Sequence, residues 1–216
     1  MSRSEIGVYS LGLLAQVLFS SRILVQWIKS ERAGRVLSPT SFWTFSILAS
    51  FLLMVYGILR NDLVIIGGQV ISYFIYLRNL HFKNVWQELP WWVRWPSVLF
   101  PLVAMLWLIF GDVYSLVYIW EHSTISGTLV AWGGAGQAIF TIRFVYQWYY
   151  SEKVQESVLP NGFWVISLVG SLMIILYAVF RLDPVIFIGQ AFGIVAYSRN
   201  LFIGLRQQKS SQSVSG

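Results

Sequence analysis

The chain has 216 residues, 56% of them hydrophobic and 11% charged, with a mean hydropathy of +0.64. Soluble domains carry about 25% charged residues, so these values exclude a water-soluble globule and point to an integral membrane protein. The net charge of +6 reads as a topology and lipid-headgroup signal, not a nucleic-acid one, and the lack of cysteine excludes disulfides, thiolate metal sites and thiol catalysis.

Seven apolar stretches of about 20 residues are long enough to cross a hydrocarbon core of about 30 Å as helices. They fall near 6–28, 41–59, 62–80, 92–110, 126–149, 162–180 and 184–203. The first follows Arg3 but has spanning length and no small-residue cleavage site after it, so it reads as a retained helix and not a signal peptide. Pro39 and Pro160 mark the starts of the second and sixth. In the last turn of the third, Arg78 points away from the shared stripe and is expected to snorkel toward headgroups. The fourth opens in the cluster WQELPWWVRW at 86–95, an interfacial aromatic belt. GGAGQ at 133–137 in the fifth reads as a small-residue packing patch. The last eight residues, KSSQSVSG, carry no packing signal.

With the N-terminus outside, Lys29, Arg32, Arg35, Arg78, Lys83, Arg94, Lys153, Arg199, Arg206 and Lys209 lie on or beside the cytoplasmic side, and only Arg3, Arg60 and Arg181 outside. The positive-inside rule therefore predicts an outer N-terminus and a cytoplasmic C-terminus.

A shift of 121 residues superposes 12–80 on 133–201 without a gap. Gln16 meets Gln137, Arg22 meets Arg143, Gln26-Trp27 meets Gln147-Trp148, Trp43 meets Trp164, Gln69 meets Gln190, Tyr76 meets Tyr197 and Asn79 meets Asn200. Each repeat holds three helices, an odd number, so an inversion linker helix is needed to make the repeats parallel. The expected fold is all-α integral membrane, with seven transmembrane helices in a 3+1+3 plan. The divisions are 1–85 for the first repeat, 86–124 for linker helix and outer loop, 125–205 for the second repeat and 206–216 for a polar cytoplasmic tail.

The shared positions form stripes. At about 100° per residue, Gly12, Gln16, Phe19, Arg22, Gln26 and Ser30 span an arc of about 120° on helix 1. Phe42, Trp43, Ser46, Ser50, Tyr56 and Arg60 span about 140° on helix 2, and Asp62, Ile65, Gln69, Tyr76, Asn79 and Leu80 about 100° on helix 3. Polar groups facing lipid cost free energy, so the stripes are expected to face inward.

Arg22 and Arg143 carry the sharpest chemistry, because a central intramembrane Arg costs about 2.5–3.5 kcal/mol on insertion scales. A plain alternative is that each pairs structurally or snorkels, lying roughly 9 Å from the cytoplasmic end. Gln16, Gln26, Gln69, Asn79, Tyr76 and their partners Gln137, Gln147, Gln190, Asn200 and Tyr197 are candidate substrate contacts, with interhelical glue as the competing role. Trp43 and Trp164 read either as interfacial anchors near the cytoplasmic entrance or as part of the site. Asp62 and Asp183 read as helix N-caps and loop ion pairs with Arg60 and Arg181. His81 and His122 are isolated, and no catalytic constellation, metal site or cofactor motif is present in the sequence.

The strings QAIFTIRFVYQWYYSEKVQESVLPNGFW, RLDPVIFIGQ and YSRNL of the second half, and QVLFSSRILVQW, IKSERAGRVLSPTSFW, RNDLVIIGGQ and YLRNL of the first, resemble the bacterial membrane family named for the lipid-A-disaccharide synthase N-terminal domain. That family lies in the wider PQ-loop and SWEET-like superfamily, although this chain has no Pro-Gln dipeptide. The resemblance implies a link to glycolipid or lipid A metabolism in the inner membrane of Gram-negative bacteria. The expected function is a non-enzymatic transporter or flippase for an anionic lipid-linked sugar or lipid A-related glycolipid, its phosphate held by Arg22 and Arg143. Membrane lipids and a phosphate-bearing lipid substrate are the expected partners, and no nucleic acid. The alternatives are a SWEET-like facilitator of a small soluble sugar and a non-transporting scaffold for a glycosyltransferase of the same pathway.

Overall fold

The computed structural model describes residues 3–59, 63–110, 127–181 and 184–214, and every regular element among them is helical. In chain order these are α1 (Arg3–Ala33), α2 (Thr40–Leu59), α3 (Leu63–Phe82), α4 (Val85–Glu88), α5 (Trp91–Phe110), α6 (Gly127–Val154), α7 (Asn161–Arg181) and α8 (Pro184–Val214). Three of them contain stretches long and apolar enough to cross a membrane: Ile6–Ala33, Thr40–Leu59 and Asn161–Phe180.

Three helices outrun the apolar spans. The spans expected to end at 28, 149 and 203 continue as helix to Ala33, Val154 and Val214. Hydropathy reports where lipid contact stops, whereas a helix stops where the backbone is capped. Gly34, directly after α1, has φ 62, the left-handed conformation that closes a helix at little cost for glycine. Its repeat partner Gln155 adopts φ 54 after α6, its Nε2 donating to Glu152 O at 2.7 Å. A Cβ on Gly34 would meet nothing within 4 Å, so substitution there tests backbone conformation alone. Gly34→Ala is expected to destabilise the fold by about 1–2 kcal/mol, read as a lower thermal midpoint of the purified protein.

The chain divides into two compact units, residues 1–22 with 43–124 and residues 23–42 with 125–216. In the first unit, α3 packs on α4 and α5. Met54 of α2, Val70, Tyr73 and Leu77 of α3 and Ala104 of α5 form its apolar core, with Trp86, Val98 and Phe100 packed against them. Pro96 and Pro101 lie inside α5, and each removes one helical N–H donor.

In the second unit α7 packs against both α6 and α8. Close approach is bought with glycine: a Cβ on Gly170 of α7 would sit 3.0 Å from the Phe140 backbone of α6. The GGAGQ patch serves the same end, since a Cβ on Gly133 would lie 2.7 Å from the Tyr177 ring and one on Gly136 3.0 Å from Met173. Gly170→Ala must push two helix backbones apart, and a loss of about 1–3 kcal/mol is expected in thermal denaturation, the range seen on overpacking.

The burial pattern is inverted relative to a water-soluble bundle. On α7 Val165, Val169, Leu172, Leu176 and Val179 are exposed, while Ser167 and Ser171 are fully buried. On α1 Leu13, Val17, Leu24 and Ile28 are exposed while Arg22, Gln26 and Ser30 are buried. Apolar-out and polar-in is the arrangement a hydrocarbon solvent selects, and it supports membrane association.

Candidate functional site

In the first unit the site grows from helical spacing. Trp43, Ser46 and Ser50 of α2 lie three and four residues apart and share a face, and Arg22 of α1 reaches it. Arg22 is 4% exposed. Its Nη1 donates to Ser46 Oγ at 2.8 Å and to Tyr76 OH of α3 at 3.2 Å, so one guanidinium joins three helices. The charge lies over the Phe19 ring at 4.6 Å and the Tyr76 ring at 5.6 Å, and Trp43 packs on Tyr76 with ring centroids 6.1 Å apart. Higher on the same α2 face, Ser50 Oγ donates to Gln69 Oε1 at 2.9 Å.

The second unit builds the same cluster 121 residues on. Arg143, 3% exposed, donates from Nη1 to Ser167 Oγ at 3.4 Å and to Tyr197 OH at 3.2 Å. Its guanidinium lies 3.3 Å from the Phe140 ring centroid, 4.7 Å from Phe144 and 5.5 Å from Phe163 and Tyr197. Trp164 packs on Tyr197 at 6.1 Å. Hydrogen bonds to a charged group contribute about 1.5–3 kcal/mol each and desolvated cation–π contacts about 2 kcal/mol. Together these exceed the insertion cost of about 2.5–3.5 kcal/mol for a central Arg, which explains how each repeat tolerates it. A guanidinium presents five N–H donors in a planar fork, the geometry that recognises phosphate and carboxylate oxygens.

Gln26 and Gln147 are engaged elsewhere. Gln26 Nε2 shares its two N–H protons among Leu37 O at 3.1 Å, Ser30 Oγ at 2.9 Å and Asn200 Oδ1 at 2.8 Å, while Leu37 N donates to Ser30 Oγ at 3.0 Å. Gln147 Nε2 repeats this on Ser151 Oγ at 2.8 Å and Val158 O at 2.9 Å. Each amide clamps the loop that follows its helix. Asn79 and Asn200 are fully buried and donate to the carbonyls of Ile75 and Ala196 one turn back, both at 2.9 Å.

The remaining candidates scatter. Gln16 and Gln137 are exposed, and Gln69 and Gln190 half-buried. Trp43 and Trp164 are 0% and 1% exposed, which removes the interfacial-anchor reading, because an anchor must present its ring to the headgroups. Arg78 lies over the Phe82 ring at 4.5 Å. Arg60, Asp62 and Asp183 lie outside the described residues, as does the side chain of Arg181. The polar tail is not structureless through 214: it continues α8, and Gln207 Oε1 accepts from Val36 N at 3.3 Å. Glu31 receives Arg199 through two nitrogens and Trp27 Nε1 at 3.3 Å. Ser46 and Ser167, the hydroxyl partners of the two Arg residues, were on the shared stripe but not singled out. Their position three residues after a shared Trp, facing a helix that carries Arg, was the available signal.

A family model described as Lipid A Biosynthesis N-terminal domain matches residues 11–81 and 132–202. Relatives called lipid-A-disaccharide synthase are 29% identical over 94% of this chain in Chlamydia pneumoniae, 30% over 91% in Chlamydia felis and 27% over 95% in Chlamydia abortus. The matched region is 34%, 33% and 34% of those proteins, so the chain spans about a third of their length. No solved structure matches.

Proposed function

The chain belongs to the Lipid A Biosynthesis N-terminal domain family, and from that membership we propose that it is a transporter of the flippase type for an anionic lipid-linked sugar or lipid A-related glycolipid. One observation carries the reading: each repeat buries a guanidinium at the same position, on hydroxyls and aromatic faces. A buried intramembrane Arg is a functional-site signal by default, substrate pathways among its uses, and phosphate is the anion that lipid-linked sugars carry. In this reading Arg22 and Arg143 are the anion-binding groups, with Tyr76, Tyr197, Trp43 and Trp164 shaping their surroundings. Gln26, Gln147, Asn79 and Asn200 hold the backbone that positions them. The chain sits in a bacterial inner membrane with a periplasmic N-terminus and a cytoplasmic C-terminus. Its long helices are read on the 3+1+3 plan of PQ-loop and SWEET-like carriers.

Reconstitution tests this directly. Proteoliposomes holding the purified chain are expected to move a fluorescent polyprenyl-phosphate sugar between leaflets, read by quenching from the outer face. A wild-type rate equal to that of protein-free vesicles would sink the proposal.

A second reading, a membrane module that positions a glycosyltransferase, is favoured by one observation: in the chlamydial relatives the matched region shares a polypeptide with about twice its length of further sequence. It predicts stable co-purification with a glycosyltransferase and no lipid movement by the chain alone.

A further inference from the structure

The two repeats share a sequence pattern but not a hydrogen-bond inventory. In the first, Ser50 Oγ spends its proton on Gln69 Oε1. Its counterpart Ser171 is 0% exposed, and its Oγ has no hydrogen-bond partner among the described residues. The same holds for the indole Nε1 of Trp164, 1% exposed. A buried polar group left without a partner costs free energy, and native proteins rarely keep one without a use.

Both orphans lie on one face of α7, about two turns apart. Trp164, Ser167 and Ser171 fall within about 60° on α7, and Ser171 lies one turn, about 6 Å, from Ser167. Ser167 receives Arg143. The Trp164 ring packs against Phe163 at 4.9 Å and Tyr197 at 6.1 Å, two of the rings that surround the Arg143 guanidinium. Guanidinium, indole N–H and serine O–H are all donors, so the shared chemistry is that of an anion oxygen.

We propose that the repeats are functionally unequal: in the second repeat Ser171 Oγ and Trp164 Nε1 donate to the phosphate-bearing headgroup beside Arg143, while the first repeat satisfies the matching hydroxyl, Ser50, with Gln69. This rests on the transporter reading and assigns its headgroup contact. The Ser171 hydroxyl then lowers the stability of the empty protein in exchange for affinity, a trade common at binding sites.

The test titrates farnesyl phosphate, and separately inorganic phosphate, onto the full chain in nanodiscs, with thermal midpoints measured alongside. Ser171→Ala is expected to weaken farnesyl phosphate binding about tenfold, the value of one hydrogen bond to a charged group, with an unchanged or higher midpoint. Trp164→Phe is expected to weaken binding similarly. Ser50→Ala is expected to lower the midpoint by about 2–4 °C and to leave affinity within about twofold. Wild-type affinity in both Ser171→Ala and Trp164→Phe would overturn the assignment while leaving the transporter reading intact. No binding by the wild-type chain would overturn both. Equal binding of inorganic phosphate would keep the anion site and overturn the lipid as its source.

Discussion

Lipid translocation by the Arg22→Ala, Arg143→Ala double variant is expected to fall at least about 100-fold below wild type. The estimate takes one charge-assisted hydrogen bond of about 1.5–3 kcal/mol lost to the substrate phosphate per guanidinium, with about 1.4 kcal/mol for each factor of ten. Loss of fold must be separated from loss of function, because each Arg also joins three helices through Ser46 and Tyr76 or Ser167 and Tyr197. Removing it leaves those buried hydroxyls to find other partners. Arg→Lys at both positions makes the separation. Lysine keeps the charge but not the planar fork, so a Lys variant that stays folded and still transports poorly identifies bidentate anion binding. Full translocation by a folded Ala double variant would exclude these groups from the substrate path.

Gln26→Glu is expected to cost about 3 kcal/mol of stability, more than Gln26→Ala. The glutamate is nearly the same size, so the change isolates chemistry from packing. The amide nitrogen faces three acceptor atoms, Leu37 O, Ser30 Oγ and Asn200 Oδ1, and is fully buried. A carboxylate there sets oxygen against the two carbonyl oxygens, with only the Ser30 hydroxyl able to donate to it, and a buried charge so poorly compensated costs about 3–5 kcal/mol. Rotating the Asn200 amide to offer its nitrogen would forfeit its bond to Ala196 O. The thermal midpoint of the purified protein is the measurement. A Glu variant as stable as wild type would mean that the loop is not held by this amide.

These residues show how far sequence reasoning reached. The repeat, the Arg at its centre and the polar stripes were legible, because inversion of polarity in lipid leaves a periodic mark: groups that cannot face hydrocarbon recur at helical spacing. The role of each polar group was not legible. Gln26 and Arg22 sit on the same stripe of α1, yet one clamps a loop and the other joins three helices. Gln16, on the same arc, is exposed. A stripe says only which side chains share a face; burial and partner depend on atoms about 3 Å away, contributed by residues as distant in the chain as the 174 positions between Gln26 and Asn200.

By itself the sequence determined that the chain is helical, apolar enough for membrane association and built on an internal duplication, with one Arg inside an apolar stretch of each repeat, because composition, apolar span length and a 121-residue register are properties of the order of residues. Only the tertiary structure decided that the duplicated positions are spent unequally, with Ser50 on Gln69 and Ser171 on no described residue. Hydrogen bonds are made across helices that sequence alone does not bring together, and identical residues placed twice in a chain need not meet identical neighbours.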